Sequence, residues 1–543
     1  MFARSLSVLF CLCALLLLGC GDRETPVERA NKEQILLRAN GSEPAALDPH
    51  LVTGVTEHNI LTALLEGLVR PDPETLKPLP GVAESWDISA DGRVYTFHLR
   101  EDALWSNGEP IQASDFVFAY ERMLSPKLAA EYASLLYPMV NAEQFNTGEL
   151  TDFSQVGVKA LDPRTLEITL NEATPYFLSL LTHYTWYPVH PPTIFQHGAI
   201  DQRDSRWTRP GNFVGNGPFT LEEWRVHDRI VVKKNPYYWD REHILLNGVH
   251  FLPFANLNAE ERAFRSGQIH ISYAIPTHKI EPYEEAGNEA LRISPYLGTY
   301  YYAFNTEKPP LDDARVRRAL SLAIDREGIT RNITQAGQIP ANHFTPPNTA
   351  GYTSEAKFSL DLEANIAEAK RLLAEAGFPN GEGLRELELL YNTSESHKAI
   401  AEAIQYFWQE TLGVKVRLVN QDWKVYLINR RDGNFDVLRA GWIGDYNDPS
   451  TFLDLLASWS GNNNAKFDSP QYDALIRQAA ETGDADARLE VFQQAGKILI
   501  DEMPVAPIYF YVSAYLVNPA VQGWYPNILD QHPWQGIYLD PPK

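Results

Sequence analysis

The stretch RAGWIGDYNDPSTF, Arg439 to Phe452, sets a carboxylate, Asp445, just past Trp442 at the end of an otherwise apolar run. A carboxylate there can serve as a general acid or base, a metal ligand, a turn residue or the anchor for a positively charged ligand, and each role needs different company. Catalytic company is missing: the chain has no Gly-x-Ser-x-Gly elbow, no His-Glu-x-x-His and no Walker loop. Its three cysteines, Cys11, Cys13 and Cys20, all lie in the first twenty residues. Fourteen histidines are scattered without paired ligand spacing, and His183 and His190 in HYTWYPVH read more readily as structural. Asp87, Ser89, Asp91 and Gly92 half-imitate a calcium loop, but His98 stands where the bidentate glutamate is needed. The pair Gly215 and Gly217 runs into Pro218 and reads as a loop. No catalytic set, metal or cofactor is expected. A carboxylate pair far apart in sequence keeps a hydrolase in play.

The elements that must position Asp445 are legible upstream of it. LRELELLYNTS, KAIAEAIQYFWQETLG, VKVRLVNQD, WKVYLINRRDG and FDVLRAGW alternate strand, helix, strand, helix, strand. That pattern predicts parallel strands with right-handed crossovers, and in such sheets ligands sit beyond the carboxyl ends of the strands. Two polar segments arrive there, one around Asn392–His397 and one around Asp445, with Arg439 on the strand between. Elsewhere, ESWDISADGRVYTFHLRED reads as a hairpin turning at Asp91-Gly92. Val316, Ala319, Leu320, Ala323 and Ile324 mark an amphipathic helix capped by Asp312 or Asp313. Ile366, Ala369, Leu373 and Ala376 mark another that stops at Gly377.

At 543 residues the chain is long enough for two or more lobes. Its first segment, with Arg4 before a short apolar run, reads as a secretory signal over residues 1–19. LLGC resembles the lipobox of bacterial lipoproteins, so cleavage before Cys20 would leave one lipidated cysteine and no disulfide. Residues 20–34, polar and without pattern, are expected to be a tether from the membrane. The formal charge of −23, with Lys and Arg dispersed, argues against a nucleic-acid partner.

AESWDISADGRVYTFHLREDALWSNGEPIQASDF, PPLDDARVRRALSLAIDRE, AKRLLAEAGF, NQDWKVYL and FDVLRAGWIGDYNDP, in that order, resemble the oligopeptide-binding family of ABC-transporter solute-binding proteins. The resemblance covers essentially the whole mature chain. It implies an α/β fold, a two-lobed periplasmic-binding-protein clamp with an additional smaller third domain. Lobe I would comprise residues 35–65, 191–297 and 513–543, domain II residues 66–190 and lobe III residues 298–512. The implied ligand is an oligopeptide added as a strand between the lobes. Its α-ammonium would meet Asp445, and its backbone would meet Thr53, Val55, Gly441 and Ile443. Its carboxylate would meet Arg430, Arg439 or His397, and its side chains pockets lined by Tyr132, Tyr296, Tyr301, Trp423 and Trp442. Two departures bear on ligand length: Thr53 stands where peptide-binding relatives often have an acid, and Thr334 where they can have a lysine. The loop Ser272 to His278 looks one residue short. The expectation is a monomeric, lipid-anchored, extracytoplasmic protein that is not an enzyme and delivers peptides to the permease of an ABC importer. The rivals are a dedicated receptor for murein tripeptide or another unusual peptide, a lipoprotein hydrolase, and a sensory or scaffolding lipoprotein.

Overall fold

The computed structural model describes residues 24–540. The expected signal segment and Cys20 lie outside the described residues. The chain forms an α/β clamp of two lobes with a third, smaller domain. The first lobe is built on a four-stranded sheet in the order Ile35–Ala39, Gly248–Leu252, Arg229–Lys234, Phe219–Arg225. Its first pair is parallel and the others antiparallel. The smaller domain carries an antiparallel sheet, Ala83–Ile88, Val94–Leu99, Thr165–Thr169, Val158–Asp162. Its hairpin turns as the sequence predicts, with Gly92 at φ +72, a conformation that costs glycine nothing. The helix Ala113–Leu124 buries Phe116, Ala119, Tyr120 and Met123 completely, and the first lobe and the smaller domain share one apolar core.

The second lobe holds a six-stranded sheet in the order Ile339–Pro340, Val505–Leu516, Leu291–Phe304, Val437–Ile443, Leu387–Asn392, Val416–Gln421. The predicted β-α-β-α-β run is present, with helices Glu395–Leu412 and Trp423–Arg431 between its strands and both of its strand pairings parallel. Alternation divides the core in two. Tyr300, Tyr302 and Phe304 point into one apolar cluster, and Tyr301 and Ala303 into the other. The predicted helices run Ala314–Leu322, capped by the Asp313 side chain, and Leu362–Glu375, after which Gly377 turns at φ +94.

The expected tether is a correction. Pro26–Glu33 is a helix, closed by a capping box in which Thr25 and Glu28 satisfy each other's backbone N–H groups. It buries Val27, Ala30 and Asn31, and the Asn31 side chain lies 2.8 Å from His270 Nε2. Two apolar residues in a polar run gave no periodicity to read. The expected lobe boundaries near 297 and 512 fall inside two continuous antiparallel strands, paired from Leu291 with Leu516 to Ala303 with Val505. Their register breaks between Pro295 and Thr299. At the far end, Ser272 exchanges two hydrogen bonds with Leu516, tying the strand pair to the first lobe. The connection between lobes is therefore a bulged two-stranded ribbon.

Candidate functional site

The strand Val437–Ile443 has one full edge and one half-open edge. Along its whole length it pairs with Leu291–Phe304, from Ile443 with Gly298 to Val437 with Phe304. On its other side only Val437 and Leu438 are paired, with Leu389 and Leu390. Arg439 to Ile443 thus presents an unpaired edge about 13 Å long at 3.3 Å per residue. Parity decides which groups face it. The Arg439 carbonyl accepts from the Tyr426 hydroxyl at 2.6 Å, whereas the Gly444 N–H donates to the Leu297 carbonyl on the paired side. Backbone groups alternate along a strand, so Gly441 and Ile443 share the outward direction of Arg439. Gly441 has a second duty: a Cβ there would stand 2.4 Å from the Tyr511 hydroxyl.

At the end of that edge lies Asp445, 9% exposed. Its N–H donates to Thr451 Oγ1 at 3.0 Å, and its Oδ1 accepts from the Tyr132 hydroxyl at 3.2 Å. His183 Nε2 is 3.4 Å away, but burial, with the neighbouring His58 adding to it, holds that imidazole neutral, so it supplies no countercharge. Oδ2 has no partner among the described residues. Burial outweighs the hydrogen bonds from Tyr132 and Thr451 and pushes the carboxyl up to about 7. Asp448, the better turn-former by sequence, does turn the chain: its Oδ1 accepts from the N–H and hydroxyl of Ser450. It is also held bidentately by Arg488, at 2.8 Å to each nitrogen.

The three cations expected to meet a carboxylate differ. Arg439 is 8% exposed, donates to Asn392 Oδ1 (3.2 Å) and the Tyr511 hydroxyl (2.9 Å), and sits 4.5 Å over the Tyr300 ring. All these partners are neutral, and Nε has none among the described residues. His397 lies 3.3 Å from the Tyr300 hydroxyl; burial and then the nearby Arg439 hold it neutral. Arg430 is already engaged, donating through Nη2 to Thr53 Oγ1 at 2.8 Å and to Glu131 Oε2 at 3.3 Å. Sequence reasoning missed Glu131, which sits in an aperiodic segment. It also missed Glu57, a fully buried carboxylate that accepts from Ala45 N–H and Thr56.

Thr53 and Val55 flank Gly54 at the start of the helix Val55–Leu64. A Cβ at Gly54 would stand 3.2 Å from the Trp423 ring, which stacks on Tyr426 at 5.5 Å. Trp442 lies 6.0 Å from Tyr132, with its indole N–H buried and without a partner among the described residues. Tyr296 meets Tyr511 edge-on, while Tyr301 is buried against Phe344 in the second lobe's core. Thr334 donates to Gln338 Oε1 at 2.8 Å. The loop at Ser272, expected to be one residue short, is braced by Glu260, which accepts from the N–H groups of Tyr273 and Ala274. Across the cleft the lobes touch: besides Tyr132 with Asp445 and Glu131 with Arg430, Tyr176 stacks on Tyr446 at 5.2 Å.

Residues 77–464 match the family described as bacterial extracellular solute-binding proteins, family 5 middle. The chain belongs to that family. It is 41% identical over 523 residues to the periplasmic oligopeptide-binding protein OppA of Salmonella typhimurium, covering 95% of this chain and 94% of that protein. It is 40% identical over 497 residues to the periplasmic murein peptide-binding protein MppA of Escherichia coli, covering 91% and 90%. A structure of E. coli MppA superposes with a TM-score of 0.89 at 39% identity, covering 93% of this chain and 98% of that one. The unliganded open form of MppA gives 0.64 at 39% identity, covering 94% and 98%. The lobes here are therefore disposed differently from that open form, in keeping with their contacts across the cleft. Membership of a transport-protein family fits the absence of catalytic motifs in the sequence.

Proposed function

We propose that the protein is an extracytoplasmic receptor that captures short peptides between its lobes and hands them to an ABC importer. The observation that carries this reading is Asp445: a buried carboxylate with one oxygen unpartnered among the described residues, at the end of an open strand edge, facing a second lobe. A peptide laid along Arg439–Ile443 would complete the sheet through Gly441 and Ile443 and bring its α-ammonium to Asp445. Backbone hydrogen bonds of this kind are blind to side-chain identity. At the other end, Arg439 carries a charge that only neutral groups now solvate, which suits it to the ligand's carboxylate. The protein needs no cofactor for this, performs no chemistry on the ligand and works as a monomer. Native mass spectrometry during incubation with peptides would expose a hydrolase by its cleavage products.

Calorimetric titration of free-amine and N-acetylated forms of one short peptide tests the reading. The free form should bind at least a hundredfold more tightly; equal binding contradicts it. The superposition on MppA supports a second reading, a dedicated receptor for murein tripeptide or another unusual peptide. A panel of equal-length peptides separates the two. A peptide receptor of broad use should vary by about 1–3 kcal/mol across the panel, a dedicated one by far more. Anchoring through lipidated Cys20 belongs to the same proposal: Cys20→Ser should release the protein from the membrane fraction, and retention would contradict the anchor.

A further inference from the structure

We propose that Glu131 is a specificity-determining residue, which withdraws Arg430 from the ligand and leaves Arg439 as the cation that reads a peptide's negative charge. The inference deepens the peptide-binding reading and rests on it. An arginine recognises a carboxylate best through two parallel N–H groups, offered along either the Nε/Nη2 edge or the Nη1/Nη2 edge. Both edges need Nη2. In Arg430 the two protons of Nη2 are spent on Thr53 Oγ1 and Glu131 Oε2, so neither fork is free. The pair is nearly out of solvent, with side chains 12% and 16% exposed, so Glu131 is a full countercharge rather than a screened surface neighbour.

The seat of Glu131 is built into the interface. Its carbonyl oxygen comes so close to Gly461 that a Cβ there would stand 2.4 Å away, and Asn462 Nδ2 lies at 3.5 Å from the same oxygen. The next residue, Tyr132, donates to Asp445. One dipeptide of the smaller domain thus neutralises a cation of the opposite lobe and frames the anion beside it. Arg439 has no such companion: no carboxylate among the described residues pairs with it. An acidic group on the ligand that reaches Arg430 would have to displace Glu131, exchanging one carboxylate for another with no net gain in charge pairing.

The test is a set of alanine-based peptides with free amino termini, each carrying Glu or Gln at one position, titrated calorimetrically into wild type, Glu131→Gln, Arg430→Gln and Glu131→Gln/Arg430→Gln. At the position facing Arg430, wild type should bind the two forms within about threefold. Glu131→Gln should prefer Glu there by about tenfold or more, because the guanidinium fork is free, and the double variant should return to within threefold. Ratios are compared within one variant, so a general weakening of closure cancels. A wild-type preference of tenfold for Glu that Arg430→Gln abolishes would overturn the proposal without recourse to any Glu131 variant. So would an unchanged ratio in Glu131→Gln. N-acetylation of the same peptides reports on Asp445 alone, so equal binding of acetylated forms would sink the ammonium anchor and leave the Glu131 ratios standing, whereas no binding of any peptide to any variant would sink the peptide-binding reading and this inference with it.

Discussion

Asp445 and Asp448 sit three residues apart in one loop, and both are buried, yet they live in opposite electrostatic conditions. Asp448 is gripped by Arg488 through two hydrogen bonds and turns the chain at Pro449. Asp445 has a tyrosine, a threonine and a neutral histidine, and one oxygen with no partner among the described residues. A fold that needed only a stable loop would not leave a charge in the second state, because burial without a countercharge costs free energy. The paired carboxylate belongs to the fold, and the other is the one proposed above to meet the ligand. The same contrast recurs among the cations, where Arg430 has its carboxylate and Arg439 has none among the described residues.

The largest effect that would sharpen this contrast is on Asp448. Asp448→Asn removes the carboxylate that buried Arg488 grips bidentately, leaving it only the more weakly coupled Asp454, so it should cost up to about 3–5 kcal/mol of stability in urea unfolding. A loss in the range of a surface change would mean the loop is not held as described. Asp445→Asn should act in the other direction on the unliganded protein. Its carboxyl stands at about 7 rather than 3.8, so the folded state binds more protons than the unfolded one between those values, and stability falls as pH rises through that window. Above pH 7 the full penalty, at most about 4 kcal/mol, is present, and asparagine removes it. Thermal melts at pH 8 should show the variant more stable than wild type, with the difference shrinking toward pH 4. No gain at pH 8 would mean that Asp445 is already paired.

Affinity should follow the opposite limb. A bound ammonium stabilises the carboxylate, so binding releases a proton below about pH 7, and affinity rises with pH by at most about tenfold per unit until Asp445 is ionised. It should fall again as the peptide's α-amino group deprotonates near 7.7–8.0. Titrations in buffers of different ionisation enthalpy would reveal the released proton, and a flat profile from pH 5 to 7 would break the assignment. The smallest effect concerns the outer rim, where Arg477 pairs with Glu143 across the lobes with side chains 49% and 26% exposed. Arg477→Ala should weaken binding by no more than about 1 kcal/mol, and less at high salt.

The parts of this account visible in the sequence are those that local rules write. Alternating apolar runs gave the strands around Asp445, Asp91-Gly92 gave the hairpin, and the caps at Asp313 and Gly377 gave helix ends. The helix at Pro26 was hidden because only Val27 and Ala30 supply its apolar face; its capping box, Thr25 with Glu28, was the signal that could have revealed it. The continuity of Leu291–Phe304 and Val505–Leu516 across both lobes was hidden for another reason: pairing between residues some two hundred positions apart leaves no local trace. Glu131 shows the limit most clearly. It lies 299 residues from Arg430, and nothing around it repeats. Thr53, which the family resemblance marks as a departure from an acid, touches the same guanidinium, and the carboxylate there comes from Glu131.

The central claim, that Asp445 is the ammonium anchor, is tested most directly by a double cycle in which calorimetry measures free-amine and N-acetylated peptide against wild type and Asp445→Asn. Either change alone should cost about 3–5 kcal/mol, a hundredfold to several thousandfold in affinity, because each leaves one buried charge without its partner. Together they should cost little more than one, since both remove the same ion pair. Losses that simply add, or a wild type that binds both peptides equally, would contradict the account.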